Sequence, residues 1–169
     1  MSVDGFIATE NDDLSWLSLV QKVGLDYGYS EMVENSDTYL VGRKTYDIVK
    51  ELCNGEFPQS KMFDCYIITR QDLPNADGVT FYNKDIKYLI SELKSKPGKN
   101  IYCDGGGQLV EMLMQKDLID EYIISVIPTL LGKGKRLFLG NTPPINIKLK
   151  KCESFETGLV QLHYQKTNQ

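Results

Sequence analysis

Two hydrophobic spacings alternate along this chain. Alternating or continuous apolar runs, the mark of strands, give way to runs with apolar positions three and four apart, the mark of helices. The first strand is Ser2 to Ala8, interrupted at Asp4-Gly5. It begins abruptly, so either the strand is short or the true start lies upstream. A polar loop, Glu10 to Ser15, leads into a short helical turn with Trp16, Leu17, Leu19 and Val20. Asp26 to Asn35 predicts a helix with Tyr29, Met32 and Val33 on one face, and Asp37 to Val41 a strand. Tyr46, Ile48, Val49 and Leu52 carry the helix that follows. Cys65 to Ile68 and Val79 to Tyr82 read as strands, separated by turn chemistry from Leu73 through Asp77 to Gly78. Asp85 to Ser95 predicts an amphipathic helix ended by Lys96-Pro97-Gly98. The strand Ile101-Tyr102-Cys103 then runs through Asp104 into Gly105-Gly106-Gly107, and a helical pattern starts at once with Leu109, Met112 and Leu113. Glu121 to Ile127 is a strand stopped by Pro128, and Ile145 to Glu153 and Leu159 to Tyr164 alternate as an antiparallel pair.

Strands alternating with helices imply right-handed crossovers and a largely parallel central sheet. The expected class is therefore α/β, with a C-terminal antiparallel hairpin. The 169 residues are enough for one domain with its own core, and no repeat or linker divides them.

Ligands bind such sheets beyond the carboxyl ends of the strands. Three of those ends carry groups suited to phosphate: Gly42-Arg43-Lys44-Thr45, Thr69-Arg70 and Gly105-Gly106-Gly107. At the triple glycine, backbone N–H groups can approach a ligand closely, and the helix behind aims its unpaired amides at the same spot. A triple glycine is equally a tight strand-to-helix turn; the spacing is neither Gly-x-Gly-x-x-Gly nor a P-loop. Arg43 and Lys44 are unfavourable beside the positive end of a helix, a conflict that an anionic partner would remove.

Composition narrows the classes. A net charge of −4 lacks the basic footprint of a nucleic-acid binder. No apolar run is long enough for a membrane span, and no charged-then-apolar leader comes first. The four cysteines are scattered and the one histidine is His163, so no metal spacing is present and a reduced cytoplasmic protein is expected.

The set Asp4-Gly5-x-Ile7-Ala8, Gly42 to Tyr46, Ile67 to Arg70, Gly105 to Gly107 and Pro128-x-Leu130-Leu131-Gly132-x-Gly134 resembles the dihydrofolate reductase-like superfamily. It is closer to stand-alone proteins similar to the reductase domain of the bifunctional riboflavin-synthesis deaminase-reductase. The resemblance covers nearly the whole chain and implies that superfamily's three-layer fold.

It also implies NADPH-dependent hydride transfer to an imine or carbonyl of a small heterocyclic or sugar-linked substrate, of the 5-amino-6-(5-phosphoribosylamino)uracil reductase type. By this likeness Gly42, Arg43, Lys44, Thr45, Gly105, Gly106, Gly107 and Gln108 hold the pyrophosphate. Thr69 and Arg70 meet the 2′-phosphate, and Ile7 and Ala8 lie along the nicotinamide. Leu131 and Lys133, with Asp4 and Trp16, stand on the substrate side. Trp16 reads equally as a core anchor, and a structural role is expected for Asp4. Asp26 falls near the family's carboxylate and is the expected proton relay, though a helix-starting aspartate is the plainer reading of its type and place.

Dihydrofolate reductases place an arginine for the folate tail before the third strand. Here residues 57–63 contain none. Dihydrofolate reduction and a non-catalytic NADPH-binding sensor are the alternatives. Family habit implies a homodimer, with Leu159 to Tyr164 as the edge that needs covering.

Overall fold

The structure is a computed structural model and describes residues 1–76 and 78–167. Asp77, part of the expected turn, lies outside them. In chain order the elements are β1 (Phe6–Ala8), α1 (Tyr29–Glu34), β2 (Ser36–Gly42), α2 (Arg43–Leu52), β3 (Asp64–Ile68), β4 (Val79–Tyr82), α3 (Ile86–Ser95), β5 (Asn100–Cys103), α4 (Gly107–Gln115), β6 (Glu121–Val126), β7 (Lys135–Arg136), β8 (Ile147–Ser154) and β9 (Val160–Lys166). Short 3-10 turns cover Ser15–Val20 and Pro58–Lys61. The chain forms two compact units, Asp26–Met112 and Met1–Leu25 together with the chain from Leu113.

The unit Asp26–Met112 holds a four-stranded sheet in the order β4-β3-β2-β5, every neighbouring pair parallel. Aromatic and β-branched residues suit β2 to a central position. Val41 is 0 % exposed, Tyr39 2 % and Leu40 1 %, so both faces of the strand are covered. On the Tyr39 and Val41 face, the Tyr39 ring stacks on Phe63 and meets Phe57 edge-on, and Tyr46 of α2 packs against Phe57 and Phe81. Met32 and Val33 of α1 and Val49 of α2 complete this core. Burying each large apolar side chain contributes about 1.5–3 kcal/mol, so replacing Val41 or Ile67 by a charged residue would break the unit.

Local chemistry sets the helix ends. Asp85 caps α3 by accepting the Lys87 amide at 2.9 Å. Cys53 closes α2, after which Asn54 and Gly55 take positive φ. The helix expected from Asp26 starts only at Tyr29. Tyr27 and Gly28 both have positive φ, which right-handed helix cannot accommodate.

In the other unit, β6, β9 and β8 form an antiparallel sheet and β1 pairs with β7. The N-terminal segment joins β6: Met1 N donates to Ser125 O at 2.5 Å and Ile127 N to Met1 O at 2.8 Å. The expectation of Leu159 to Tyr164 as an open edge is overturned. β9 is the middle strand, with β6 bonded on one side and β8 on the other. Among the described residues no helix is long and apolar enough to cross a membrane.

Candidate functional site

The four parallel strands end at one edge of their sheet, at Gly42, Ile68, Tyr82 and Cys103. The chain builds outward from β2 to β3 and β4, then returns to place β5 on the other flank of β2. The reversal point, where sheets of this kind take ligands, therefore lies between the ends of β2 and β5. Gly42 N donates to Gly105 O there at 3.0 Å, and Asp104 N to Leu40 O at 3.0 Å. Two glycine junctions some sixty residues apart are thus one structure. Gly105 has φ +86°, a conformation an L side chain rarely adopts, and its peptide to Gly106 is cis. The positive φ falls on Gly105 and not on Gly106. A Cβ on Gly106 would stand 3.5 Å from Thr45 Oγ1, so the space a side chain would take lies between the two junctions. Gly107 and Gln108 open α4; the Leu109 amide already donates to Gly106 O at 3.0 Å, so it is the amides of Gly107 and Gln108 that a helix leaves without an intrahelical acceptor.

The cationic residues divide. Arg43 Nε donates to both carboxylate oxygens of Asp47, at 2.7 and 2.9 Å, and the guanidinium lies over the Phe81 ring at 5.4 Å. The conflict between Arg43 and the α2 dipole is thus eased within the helix itself, by Asp47. Lys44 is exposed beside it. Thr69 N donates to Tyr82 O, and Thr69 Oγ1 accepts the Gln71 amide at 3.1 Å. That turn presents Arg70 to solvent just past β3.

Sequence reasoning passed over Asp104. Its carboxylate accepts hydrogen bonds from the hydroxyls of Tyr39 and Tyr102, the second at 3.1 Å. Solvent reaches the residue although protein packs round its carboxyl. Burial pushes the carboxyl above the usual carboxylate range, opposed by the two tyrosine hydrogen bonds. Both tyrosine hydroxyls are raised in turn, by burial first and by the Asp104 charge second. A signal was present: an acid at the carboxyl end of a central strand, directly before three glycines.

Asp26, the expected proton relay, has the opposite character. It is exposed and accepts the amides of Gly28 at 3.1 Å and Ser30 at 2.9 Å. The Ser30 hydroxyl and then these amides hold its carboxyl below the usual range. A carboxyl that gives up its proton so easily is a poor proton store at neutral pH. Asp26 orders the turn before α1.

The remaining expected residues belong to the other unit. Ile7 is half-buried and Ala8 buried in β1. Trp16 is half-buried in its 3-10 turn, with no hydrogen-bond partner on its enclosed indole nitrogen among the described residues. The Asp4 carboxylate accepts from Ser2 Oγ at 2.6 Å, Leu131 N at 3.2 Å and Gly132 N at 2.7 Å. Lys133, next along, is exposed, while Lys135 pairs with Asp12. The structure therefore groups Asp4 with Leu131 and Gly132, and groups Gly42 and Thr45 with Gly105 and Gly106.

A parallel sheet with a glycine-built reversal point and an acid at its strand ends defines an α/β protein with its candidate site at the reversal point. The chain belongs to the RibD C-terminal domain family, whose model matches residues 1–161. It is 40% identical over 166 residues to the uncharacterized protein YwjB of Bacillus subtilis (strain 168), covering 97% of this chain and 92% of that one. Among solved structures it is similar to a Shewanella sp. PV-4 protein assigned to riboflavin biosynthesis, with TM-score 0.88, 27% identity and coverage of 99% and 96%. It also shares its fold with a Thermotoga maritima diaminohydroxyphosphoribosylaminopyrimidine deaminase/5-amino-6-(5-phosphoribosylamino)uracil reductase, with TM-score 0.73 and 17% identity. That match covers 98% of this chain and 54% of the other, so the chain spans about half of the two-function enzyme. Family membership and the Shewanella likeness support a reductase-like role of the riboflavin-pathway type.

Proposed function

We propose that the protein is an NADPH-dependent reductase acting on a sugar-linked heterocycle, of the 5-amino-6-(5-phosphoribosylamino)uracil reductase type, working as a homodimer in the reducing cytoplasm. The observation that carries this reading is Asp104: a carboxyl with a raised pKa at the end of β5, beside the bonded pair Gly42 and Gly105. The donor set suits a dinucleotide phosphate. Close-approach glycines, the Thr45 hydroxyl and the amides of Gly107 and Gln108 at the start of α4 form that set, and a side chain at Gly106 would stand against Thr45. Gly42, Thr45, Gly105, Gly106, Gly107 and Gln108 would hold the pyrophosphate, and exposed Arg70 the 2′-phosphate. NADPH, when bound, supplies the hydride.

The chain's own contribution is the proton. An imine nitrogen that gains a hydride at its carbon needs one, and the elevated pKa keeps the Asp104 carboxyl protonated to higher pH than an ordinary aspartate. Tyr39 and Tyr102 aim the carboxyl and support its anion once the proton has left.

The test is NADPH oxidation followed by absorbance, with 5-amino-6-(5-phosphoribosylamino)uracil and dihydrofolate offered separately. Steady oxidation with the pyrimidine supports the proposal. Oxidation with dihydrofolate alone replaces it, and NADPH binding without turnover on either refutes catalysis of this class.

A further inference from the structure

The chain treats the two carboxylate oxygens of Asp104 differently. Oδ2 accepts the hydroxyl of Tyr39, on the central strand β2, and Oδ1 accepts the hydroxyl of Tyr102 at 3.1 Å. Tyr39 is 2 % exposed, its ring stacked on Phe63 and edge-on to Phe57 within the aromatic core. Tyr102 is only half-buried, so water reaches it and hardly reaches Tyr39. All three residues belong to the unit Asp26–Met112.

Counting donors shows where a proton can sit. Among the described residues, neither hydroxyl has a hydrogen-bond partner other than Asp104. A proton on Oδ2 would have to be accepted by the Tyr39 oxygen. The hydroxyl proton of Tyr39 would then turn away to a second acceptor, which its enclosed position does not offer. Leaving such a buried donor unpaired is costly. A proton on Oδ1 meets no such conflict, because solvent lies within reach on that side. Tyr39 therefore donates to Oδ2 in both protonation states. Tyr29 of α1 and Cys103 of β5 also feel the Asp104 charge, as groups whose own protons it holds more tightly. Burial of the carboxyl is opposed by the two tyrosine hydroxyls and, among the described residues, by no cation.

We propose that Tyr39 is a positioning residue for the acid: its enclosed hydroxyl keeps Oδ2 as an acceptor, so that Oδ1 carries the proton and is the atom that hands it to substrate. This rests on the reductase reading and adds to it the donor atom and the residue that selects it. In the transfer the Oδ1–H bond breaks and the proton goes to the imine nitrogen. The bonding pair stays on the carboxylate, and solvent returns a proton afterwards. Tyr39→Phe keeps the ring between its neighbours and leaves Oδ2 without a donor where water cannot enter. Tyr102→Phe removes a bond that water can replace.

These two variants and the unaltered chain supply the test. The Asp104 carboxyl band, followed by infrared difference against Asp104→Asn, gives its titration with neither cofactor nor substrate present. The midpoint should rise by about one pH unit or more in Tyr39→Phe, since the anion loses a charge-assisted bond. In Tyr102→Phe it should rise by clearly less. Equal shifts, or none in Tyr39→Phe, overturn the assignment. In the unaltered chain the Tyr39 hydroxyl proton should exchange with water more slowly than that of Tyr102, read by proton NMR. Equal or reversed rates overturn the assignment without any variant. In NADPH oxidation with 5-amino-6-(5-phosphoribosylamino)uracil, activity falls as rising pH strips the acid of its proton. That fall should move to higher pH in Tyr39→Phe by the amount the titration moves, and little in Tyr102→Phe. A shifted titration beside an unshifted fall would overturn the hand-over from Oδ1. No oxidation by the unaltered chain, with the titrations as expected, would refute the reductase reading and leave the Tyr39 hold on Oδ2 standing.

Discussion

The amide of Gly42 donates to the carbonyl of Gly105 at 3.0 Å, joining the ends of β2 and β5 where the strand order reverses. One backbone bond thus turns two sequence motifs into a single surface, and the consequences can be tested at each side chain around it.

Gly105 and Gly106 should respond differently to substitution. Nothing lies within 4 Å of a Cβ on Gly105, so Gly105→Ala isolates the cost of its positive φ. We expect a loss of about 1–2 kcal/mol in stability, read by thermal or denaturant unfolding. Gly106→Val should keep the fold and lose NADPH binding, because its methyl groups would occupy the space beside Thr45. Normal NADPH affinity in that variant would show the loop to be a turn only.

Arg70→Ala should weaken NADPH about tenfold or more and leave NADH nearly unchanged, since only NADPH carries the 2′-phosphate. Fluorescence titration with both cofactors decides the matter. Equal losses would remove Arg70 from that role.

Asp104→Asn should cut turnover by about 10²-fold with NADPH affinity retained, the usual scale of general acid help. It also carries a pH signature. The folded carboxyl binds its proton more tightly than the unfolded one. That stabilisation is complete below the unfolded value of about 3.9 and is lost as pH rises through the folded value. Asparagine has no such loss, so Tm of the variant relative to the parent should climb with pH across this window and then level off. A variant-minus-parent difference in Tm that stays flat or falls across this window would mean the carboxyl is not raised.

Asp26→Asn should behave in the contrary way. Its carboxylate orders the Gly28 and Ser30 amides and holds no proton near neutrality, so full turnover is expected with a slightly lower Tm. A dead but well-folded Asp26→Asn would return the acid role to it.

The homodimer we propose should form through a sheet face and not through β9. Tyr122, Ile124, Leu162, Tyr164 and Ile147 help line an apolar cavity of ≈ 620 Å³, and Leu149 stands opposite Tyr164 on the same face, 49 % exposed. The neighbouring strand β8 carries Lys148, Lys150 and Lys151, which oppose edge pairing. Light scattering at micromolar concentration should give a dimer, and Leu149→Glu a monomer. A monomeric parent protein would refute the assembly.

What the sequence determined by itself was the order of elements and the residue types at strand ends. Apolar spacing is a local property, and glycine, aspartate and proline act on the backbone within a turn or two. Hence α3, the strand at Glu121 and the glycine-headed helix were legible. What the tertiary structure decided was how those local pieces are partnered. Strand order joined Gly42 to Gly105 and put β9 between two neighbours, and neither pairing leaves a mark on spacing. The two candidate acids were separated the same way. Asp26 and Asp104 have identical side chains and both stand beside a helix, but one carboxylate meets amides in open solvent and the other has protein packed round it and two tyrosine hydroxyls bonded to it. A carboxyl's affinity for its proton depends on the atoms packed around it, and for Asp104 one of those partners, Tyr39, lies 65 residues away along the chain.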